Sequence, residues 1–157
     1  MKIILILIFT ILSFGQLLAQ RNISTVKIGD NISLTATIES FDSSKHTYDT
    51  CDTGLGWSGI CLIDGEPWFG CDNGMDLPRN QLVKLSIKIN GKDILLDVGG
   101  MFNPSYNNEI KKEQFEIENG EFGYYLYGYF SDAAGSYTVQ WIIIKGKSMR
   151  LKIFKEC

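Results

Sequence analysis

His46 is the only histidine in this sequence, and histidine is the side chain that most often exchanges protons near neutral pH. It lies in the polar segment 42–49, where serines and aspartates could complete a Ser-His-Asp arrangement. No nucleophile-elbow glycine pattern surrounds any serine, and one imidazole cannot build a histidine-based zinc or iron centre. We therefore interpret the segment as a solvated loop. We predict no catalytic, cofactor-binding or metal-binding residue and favour a protein that is not an enzyme.

The next residues with chemistry of their own are the four cysteines, Cys51, Cys61, Cys71 and Cys157. The ten-residue spacing of the first three and the lack of histidine partners fit no zinc-binding pattern. An even number of cysteines indicates disulfide bonds in a chain that is exported, as the first twenty residues predict below. We predict two disulfides, which would leave no free thiol for nucleophilic catalysis.

Acidic side chains are frequent around these cysteines, at Asp49, Asp52, Asp64, Asp72 and Asp76. Carboxylate oxygens of this kind suit calcium, but segment 72–76 matches only the opening of a calcium loop and lacks the later bidentate glutamate. Turn formation by Asp, Asn and Gly is the preferred interpretation. We therefore predict no cofactor, and calcium is the alternative. A small hydrolase using two carboxylates is kept as the last-ranked function.

The elements that must position these residues are predicted to be strands. Residues 32–39 alternate apolar and polar side chains, which is typical of a strand with one solvated face. Turn residues then recur at Asp64-Gly65, Asn90-Gly91, Asn119-Gly120 and Gly146. We predict an all-β fold of roughly nine or ten short strands built from successive hairpins, without a helix. An antiparallel β-sandwich is the first choice, and a small β-barrel is the alternative.

Two of the hairpins allow a register to be predicted. Pairing outward from Asn90-Gly91 gives the apolar pairs Ile87/Ile94, Leu85/Leu96 and Val83/Val98 and the charge pairs Lys88/Asp93 and Lys84/Asp97. Pairing outward from Asn119-Gly120 gives Ile117/Phe122 and Phe115/Tyr124.

The Asp64-Gly65 hairpin narrows the disulfide connectivity. Its simplest register sets Cys61 opposite Trp68 and Cys71 opposite Ser58, so the two cysteines point to opposite sides of the ladder. A bridge between Cys61 and Cys71 is therefore excluded. Two connectivities remain, Cys51–Cys71 with Cys61–Cys157 or Cys51–Cys61 with Cys71–Cys157, and we favour the first.

Aromatic residues follow a strict alternation near residue 125. Phe122, Tyr124, Leu126 and Phe130 take one face of their strand, and Tyr125, Tyr127 and Tyr129 take the other. We predict that the first face is core. The second face would be a row of tyrosines suited to partner recognition, because tyrosine joins apolar area to a polar tip. The row could instead be covered by a loop or line a barrel interior.

Two tryptophans are further candidates for partner contact. Trp141 is predicted to share a face with Arg150 and Lys152, as an exposed cation–π stack or as a core residue with basic side chains around it. Trp57 lies in the glycine-rich segment 54–59, and loops of this kind often carry binding contacts.

The first twenty residues have the order of a secretory signal peptide. Lys2 supplies a positive charge, residues 3–12 form an apolar run, and Ala19 offers a small residue for cleavage. Polar and glycine residues interrupt the run before the about 20 residues that a membrane span needs. We predict a signal peptide over residues 1–20 and a single β domain over residues 21–157. The mature protein is expected in the periplasm or outside the cell, without membrane insertion.

The charge balance limits the partners. The 18 acidic and 15 basic residues give a formal net charge of −3, and no basic run is present, so nucleic acid is not expected as a partner. The first-ranked function is a secreted binding module for another extracytoplasmic protein, of the inhibitor or protective type. A glycan-binding module ranks second.

Overall fold

The computed structural model describes residues 20–52, 54, 56, 58–70, 77–105, 107–131 and 135–155. These residues form eleven strands in three antiparallel sheets, with two short 3-10 turns at Ser43–Lys45 and Lys112–Gln114. The predicted all-β fold is confirmed. No helix in this part of the chain is long and apolar enough to cross a membrane.

The first four-stranded sheet has the order β1-β2-β6-β7. Its strands are β1 (Arg21–Gly29), β2 (Ile32–Ser40), β6 (Asn80–Ile89) and β7 (Lys92–Leu96). Both of its hairpins turn through residues with positive φ, at Asn31 and at Asn90-Gly91, as tight turns between adjacent strands require.

The second four-stranded sheet has the order β11-β10-β9-β8. Its strands are β8 (Phe115–Asn119), β9 (Tyr124–Phe130), β10 (Tyr137–Ile144) and β11 (Lys147–Lys155). The last two strands are joined at Lys145-Gly146, both with positive φ, and Ile142 pairs with Met149.

A smaller third sheet has the order β3-β4-β5 and carries the first two cysteines. Its strands are β3 (Tyr48–Asp52), β4 (Ser58–Ile63) and β5 (Glu66–Pro67).

The two four-stranded sheets share one hydrophobic core. Leu34, Leu85 and Ile87 come from the first sheet, and Leu126 and Trp141 come from the second. All five side chains are fully buried, because every second residue of each strand points inward. None of the sheets closes on itself, so the sandwich, and not the small barrel, is the architecture of these residues.

The two sheets also meet at their edges. On one side, the Ser148 hydroxyl on β11 donates a hydrogen bond to the carbonyl oxygen of Leu95 on β7. On the other side, the Ile110 amide, in the segment before β8, donates to the Ser24 hydroxyl on β1 at 3.0 Å. The open edges of the sandwich are thus held together by side-chain hydrogen bonds.

The Asn90-Gly91 register is confirmed close to the turn and wrong farther out. Leu85/Leu96, Ile87/Ile94 and Lys88/Asp93 are paired as predicted. Val83/Val98 and Lys84/Asp97 are not paired, because β7 ends at Leu96 and the chain then turns away.

Strand β6 and Asp97 have other partners in place of these two predicted pairs. The Leu82 amide donates to the carbonyl oxygen of Met101, so a later segment continues beside β6. Asp97 forms its ion pair with Arg150, at 3.3 Å between Nε and Oδ2.

The Asn119-Gly120 register is wrong, because the connection is a four-residue loop and not a two-residue turn. Asn119 pairs with Tyr124 and Ile117 with Leu126, and the Gly120 amide donates to the carbonyl oxygen of Gly123 at 2.7 Å. This register buries Leu126 completely and leaves Phe122 67% exposed in the loop. The displacement spans an even number of residues, so the predicted faces of β9 are unchanged.

The favoured disulfide connectivity is also wrong, because Cys51 is bonded to Cys61, with 5.7 Å between their Cα atoms. The polar strand β3 pairs with β4, and this places Cys51 opposite Gly59, diagonally across the ladder from Cys61. Leu62 pairs with Pro67 in the register predicted for the Asp64-Gly65 hairpin, and the exclusion of Cys61–Cys71 is confirmed. Cys71 and Cys157 lie outside the described residues, so their pairing stays a prediction.

Peptide mapping without reduction should identify the Cys51–Cys61 bridge. Trypsin leaves the first three cysteines in one peptide, because no Lys or Arg lies between His46 and Pro78. Chymotrypsin separates them by cutting after Trp57 and after Phe69. Replacing both bonded cysteines with alanine should lower the free energy of unfolding by about 3 kcal/mol on the loop-entropy model. A Cys51–Cys71 peptide pair would contradict the structure.

A second prediction concerns Gly70, where the third sheet approaches the sandwich. Gly70 has φ +98°, and a Cβ there would collide with the carbonyl oxygen of Phe102. Gly65 also has positive φ, at +78°, but a Cβ there meets nothing within 4 Å. Gly65→Ala should cost about 1 kcal/mol of stability, and Gly70→Ala should cost a further 1–3 kcal/mol or so from overpacking. Equal losses in urea unfolding would show that no close approach exists.

Candidate functional site

The tyrosine row lies on the outer face of the second sheet, away from the core. Tyr125 and Tyr127 are half-buried and Tyr129 is 41% exposed, whereas Leu126 and Phe130 between them point into the core. The sandwich therefore displays the row, as a strand with one buried face must.

Cross-strand pairing extends the row into a surface, named here the outer tyrosine face. It consists of three rows across the sheet: Glu118, Tyr125, Ile142 and Met149; Glu116, Tyr127, Gln140 and Lys152; and Tyr129, Thr138 and Phe154. Met149 is 60% exposed and Phe154 is 47% exposed. The face thus combines half-buried and exposed side chains, among them three tyrosines, a phenylalanine and a methionine.

A β-bulge decides which basic residue joins this face. Trp141 pairs with Arg150 but Gln140 pairs with Lys152, so Leu151 is an extra residue in β11. The extra residue reverses the side of everything that follows it. Lys152 therefore lies on the outer face, and the prediction that it shares a face with Trp141 is wrong.

Charges on the outer tyrosine face are separated by sign. Glu116 and Glu118 lie on β8 at one edge, and Lys147 and Lys152 lie on β11 at the other. All four are exposed. The centre of the face, on β9 and β10, carries no charged side chain.

Hydrogen bonds hold several polar groups of the face in place. The Gln140 amide nitrogen donates to the Tyr127 hydroxyl at 2.9 Å, and the Tyr129 hydroxyl donates to Glu116 Oε2 at 3.1 Å. The Lys152 ammonium lies 5.6 Å from the centre of the Phe154 ring. Side chains that are already ordered lose less entropy on binding.

Trp141 is a core residue and does not belong to the outer tyrosine face. It is fully buried on the inner side of the same sheet, and its indole nitrogen donates to the carbonyl oxygen of Asp97 at 2.8 Å. The neighbouring Arg150 is engaged by Asp97 and donates to the carbonyl oxygen of Gly99 at 2.6 Å. The prediction of Trp141 as a partner contact is therefore corrected, and the core interpretation holds. Trp57, the other predicted contact, lies outside the described residues.

The loop residues 43–45 and 47 are exposed, as predicted, but the His46 side chain is mostly buried. It is only 16% exposed, its ring stacks on Phe41 with centroids 4.7 Å apart, and it meets the Phe102 ring edge-on. His46 Nδ1 donates to Asp64 Oδ2 at 2.7 Å. These contacts fasten the β4–β5 turn of the third sheet to the sandwich.

The surroundings of His46 favour a structural role. The Thr47 amide also donates to Asp64, at 2.9 Å, and these two hydrogen bonds, that of His46 first, lower the pKa of the Asp64 carboxyl. Ser44 donates its hydroxyl to Asp42 at 2.7 Å and is not directed at the histidine as a nucleophile would be.

Of the acidic residues of the calcium alternative, the described Asp52 and Asp64 have separate hydrogen-bond partners. Asp72 and Asp76 lie outside the described residues, and Asp52 accepts a hydrogen bond from the Gly54 amide at 2.9 Å. Among the described residues, no three His, Cys, Asp or Glu side chains form a group that could hold a metal ion.

Most residues of the outer tyrosine face were not predicted from the sequence. Glu116, Gln140, Lys152 and Phe154 contribute to it but were not predicted as site residues. The alternation of Thr138, Gln140 and Ile142 could have shown that β10 has an outer face beside the tyrosines. The position of Lys152 could not have been found, because it depends on the bulge at Leu151.

The hydrogen bonds of the Asp64 carboxylate predict that the stability of the protein depends on pH. The folded pKa of this carboxyl is lowered from 3.8, so its contribution to stability is complete above that pH and is lost as the pH falls through the folded pKa. Asp64→Asn should be less stable than the wild-type protein at pH 7, and the difference should shrink below about pH 3.8. Asp49→Asn, on the exposed strand β3, is the matched control. A difference between wild type and Asp64→Asn that persists unchanged to pH 2 in thermal unfolding would contradict the assignment.

The outer tyrosine face is the described surface on which the predicted tyrosines come together with exposed apolar and charged side chains. The chain matches no protein-family model, no curated protein and no solved structure.

Proposed function

We propose that this chain is an exported, non-enzymatic module that binds another extracytoplasmic protein through the outer tyrosine face. The observation that carries the proposal is the display of Tyr125, Tyr127 and Tyr129 beside exposed Met149 and Phe154 on one sheet face. A partner of this kind is blocked or protected by being bound, so no catalytic group is needed.

The composition of the face favours a protein as the partner. Protein interfaces are enriched at their centres in tyrosine, phenylalanine and methionine, and charged residues lie at their rims. The outer tyrosine face has this arrangement, with uncharged β9 and β10 at its centre and charges on β8 and β11.

The support beneath the face favours tight recognition. Leu126 and Trp141 fix the inner side of the same strands in the core. Tyrosine offers a large contact area with few rotatable bonds, so little entropy is lost when a partner binds. Truncating such residues at interfaces commonly costs about 2 kcal/mol or more each.

Export belongs to the same proposal. Residues 1–20 have the sequence pattern of a signal peptide, and the Cys51–Cys61 disulfide suits an oxidising compartment. We therefore place the mature protein in the periplasm or outside the cell.

Glycan binding is the second candidate, and one observation favours it. The Tyr127 ring lies beside the Gln140 amide, and the Tyr129 ring lies beside the Glu116 carboxylate. Aromatic faces with adjacent hydrogen-bonding groups are what a sugar ring needs for stacking and recognition. The exposed Met149 and Phe154 favour a protein instead, because they offer a sugar no polar partner.

Replacing Tyr125, Tyr127 and Tyr129 together with serine should weaken partner binding by at least 100-fold and leave the domain folded. The expected binding loss reflects several truncated hot-spot side chains, whose effects do not add simply. The partner is first identified by stoichiometric co-purification from extracytoplasmic extract, and its affinity is then measured by calorimetry. The same calorimetry with polysaccharides tests the glycan candidate.

Ile23→Ser with Leu95→Ser is the matched control, because these residues are exposed apolar residues on the outer side of the first sheet. The control should bind the partner as the wild-type chain does. A folded triple tyrosine variant with wild-type affinity would rule out this face as the site.

A further inference from the structure

The outer tyrosine face has a charge pattern that is complementary to itself. In the row Glu116, Tyr127, Gln140 and Lys152, an acid occupies one end and a base the other. Glu118 lies on the acidic edge and Lys147 on the basic edge. A surface with opposite charges at its two edges can bind a copy of itself if the second copy is turned round.

The orientation of such a pair follows from symmetry. A twofold axis that lies in the interface and runs parallel to the strands reverses the strand order, so β8 of one copy lies over β11 of the other. Glu116 of each copy then faces Lys152 of the other. A twofold axis across the strands would set β8 over β8 and Glu116 over Glu116, and like charges in contact oppose association.

The central residues fit the first orientation. Tyr125 lies over Ile142 of the second copy, and Tyr129 lies over Thr138, so each tyrosine meets an uncharged side chain. Packed sheets are separated by about 10 Å, a gap that a glutamate and a lysine extended towards each other can span.

The size of the face sets the strength of the association. Four strands about 4.8 Å apart and about seven residues long cover a footprint of about 19 Å by about 23 Å. Interfaces this small lie at the lower end of specific protein interfaces. A reversible dimer is therefore expected, in which the free and paired forms exchange.

We propose that the outer tyrosine face closes on a second copy of this chain, with β8 of each copy over β11 of the other and Glu116 paired with Lys152. The dimer covers the surface that the proposed function assigns to the partner protein. Self-association and partner binding then compete, and this consequence rests on the proposed function whereas the dimer itself does not.

The proposal is tested by exchanging the charges of Glu116 and Lys152 in the full exported chain. Sedimentation velocity measures the dimer at protein concentrations between 1 µM and 1 mM or so, the range in which small interfaces associate. The wild-type chain should dimerise as its concentration rises. Glu116→Lys alone and Lys152→Glu alone should each raise the dimer dissociation constant at least tenfold, because both pairs of the dimer become repulsive. An equimolar mixture of the two variants should restore dimers, and so should the double variant.

Lys84→Glu is the matched control, because this exposed lysine lies on β6 of the first sheet. It should leave the dissociation constant unchanged. Circular dichroism melting shows whether each variant is folded.

A wild-type chain that stays monomeric up to 1 mM or so would overturn the proposal, and so would single variants that dimerise normally or a mixture that fails to recover. A monomeric wild-type chain that still captures its partner through the tyrosines would refute the dimer and leave the proposed function standing. If charge exchange restores the dimer but the triple tyrosine variant still binds its partner normally, the dimer stands and the proposed function is refuted.

Discussion

Trp141 joins the two four-stranded sheets. Because its side chain points into the core, the outer tyrosine face lies on the opposite side of the second sheet. The Trp141 ring packs edge-on against Phe130 in the core, with centroids 6.3 Å apart, and its indole nitrogen bonds to Asp97 at the end of the opposite sheet. Gly128 leaves room for both rings, because a Cβ there would lie 2.6 Å from Phe130 and 3.1 Å from Trp141. Once this ring points inward, strand alternation turns Gln140 and its tyrosine neighbours outward.

The third sheet is held by contacts that do not involve the outer tyrosine face. Its turn is fixed by the His46–Asp64 hydrogen bond and by aromatic packing on Phe41 and Phe102, and its two longer strands are joined by the Cys51–Cys61 disulfide. Aromatic pairs of this kind contribute about 0.5–1.5 kcal/mol beyond their buried area. The histidine that first suggested catalysis is thus part of the attachment of this sheet to the core.

Local sequence predicted those features that local interactions determine. The Asn90-Gly91 turn was found because positive φ at both positions leaves few alternatives, and the faces of β9 were found because alternation survives any even change of register. The Asn119-Gly120 register was wrong because neither residue adopts the positive φ of a two-residue turn, and the chain instead turns through residues 120–123. Strand β3 carries no apolar alternation, so its pairing with β4, and with it the disulfide, could not be predicted.

An exposed apolar sheet face favours unspecific association as well as recognition, and its charges determine which of the two prevails. Apolar contact alone is not directional, so the tyrosines with Met149 and Phe154 would accept many surfaces in many orientations. Charges of opposite sign at the two edges penalise every orientation that brings like charges together. In the proposed dimer, Glu116 and Lys152 therefore give the face its specificity, while the tyrosines supply most of its contact area. The same separation of charge would select a partner protein whose own binding surface carries basic and acidic edges in the opposite order.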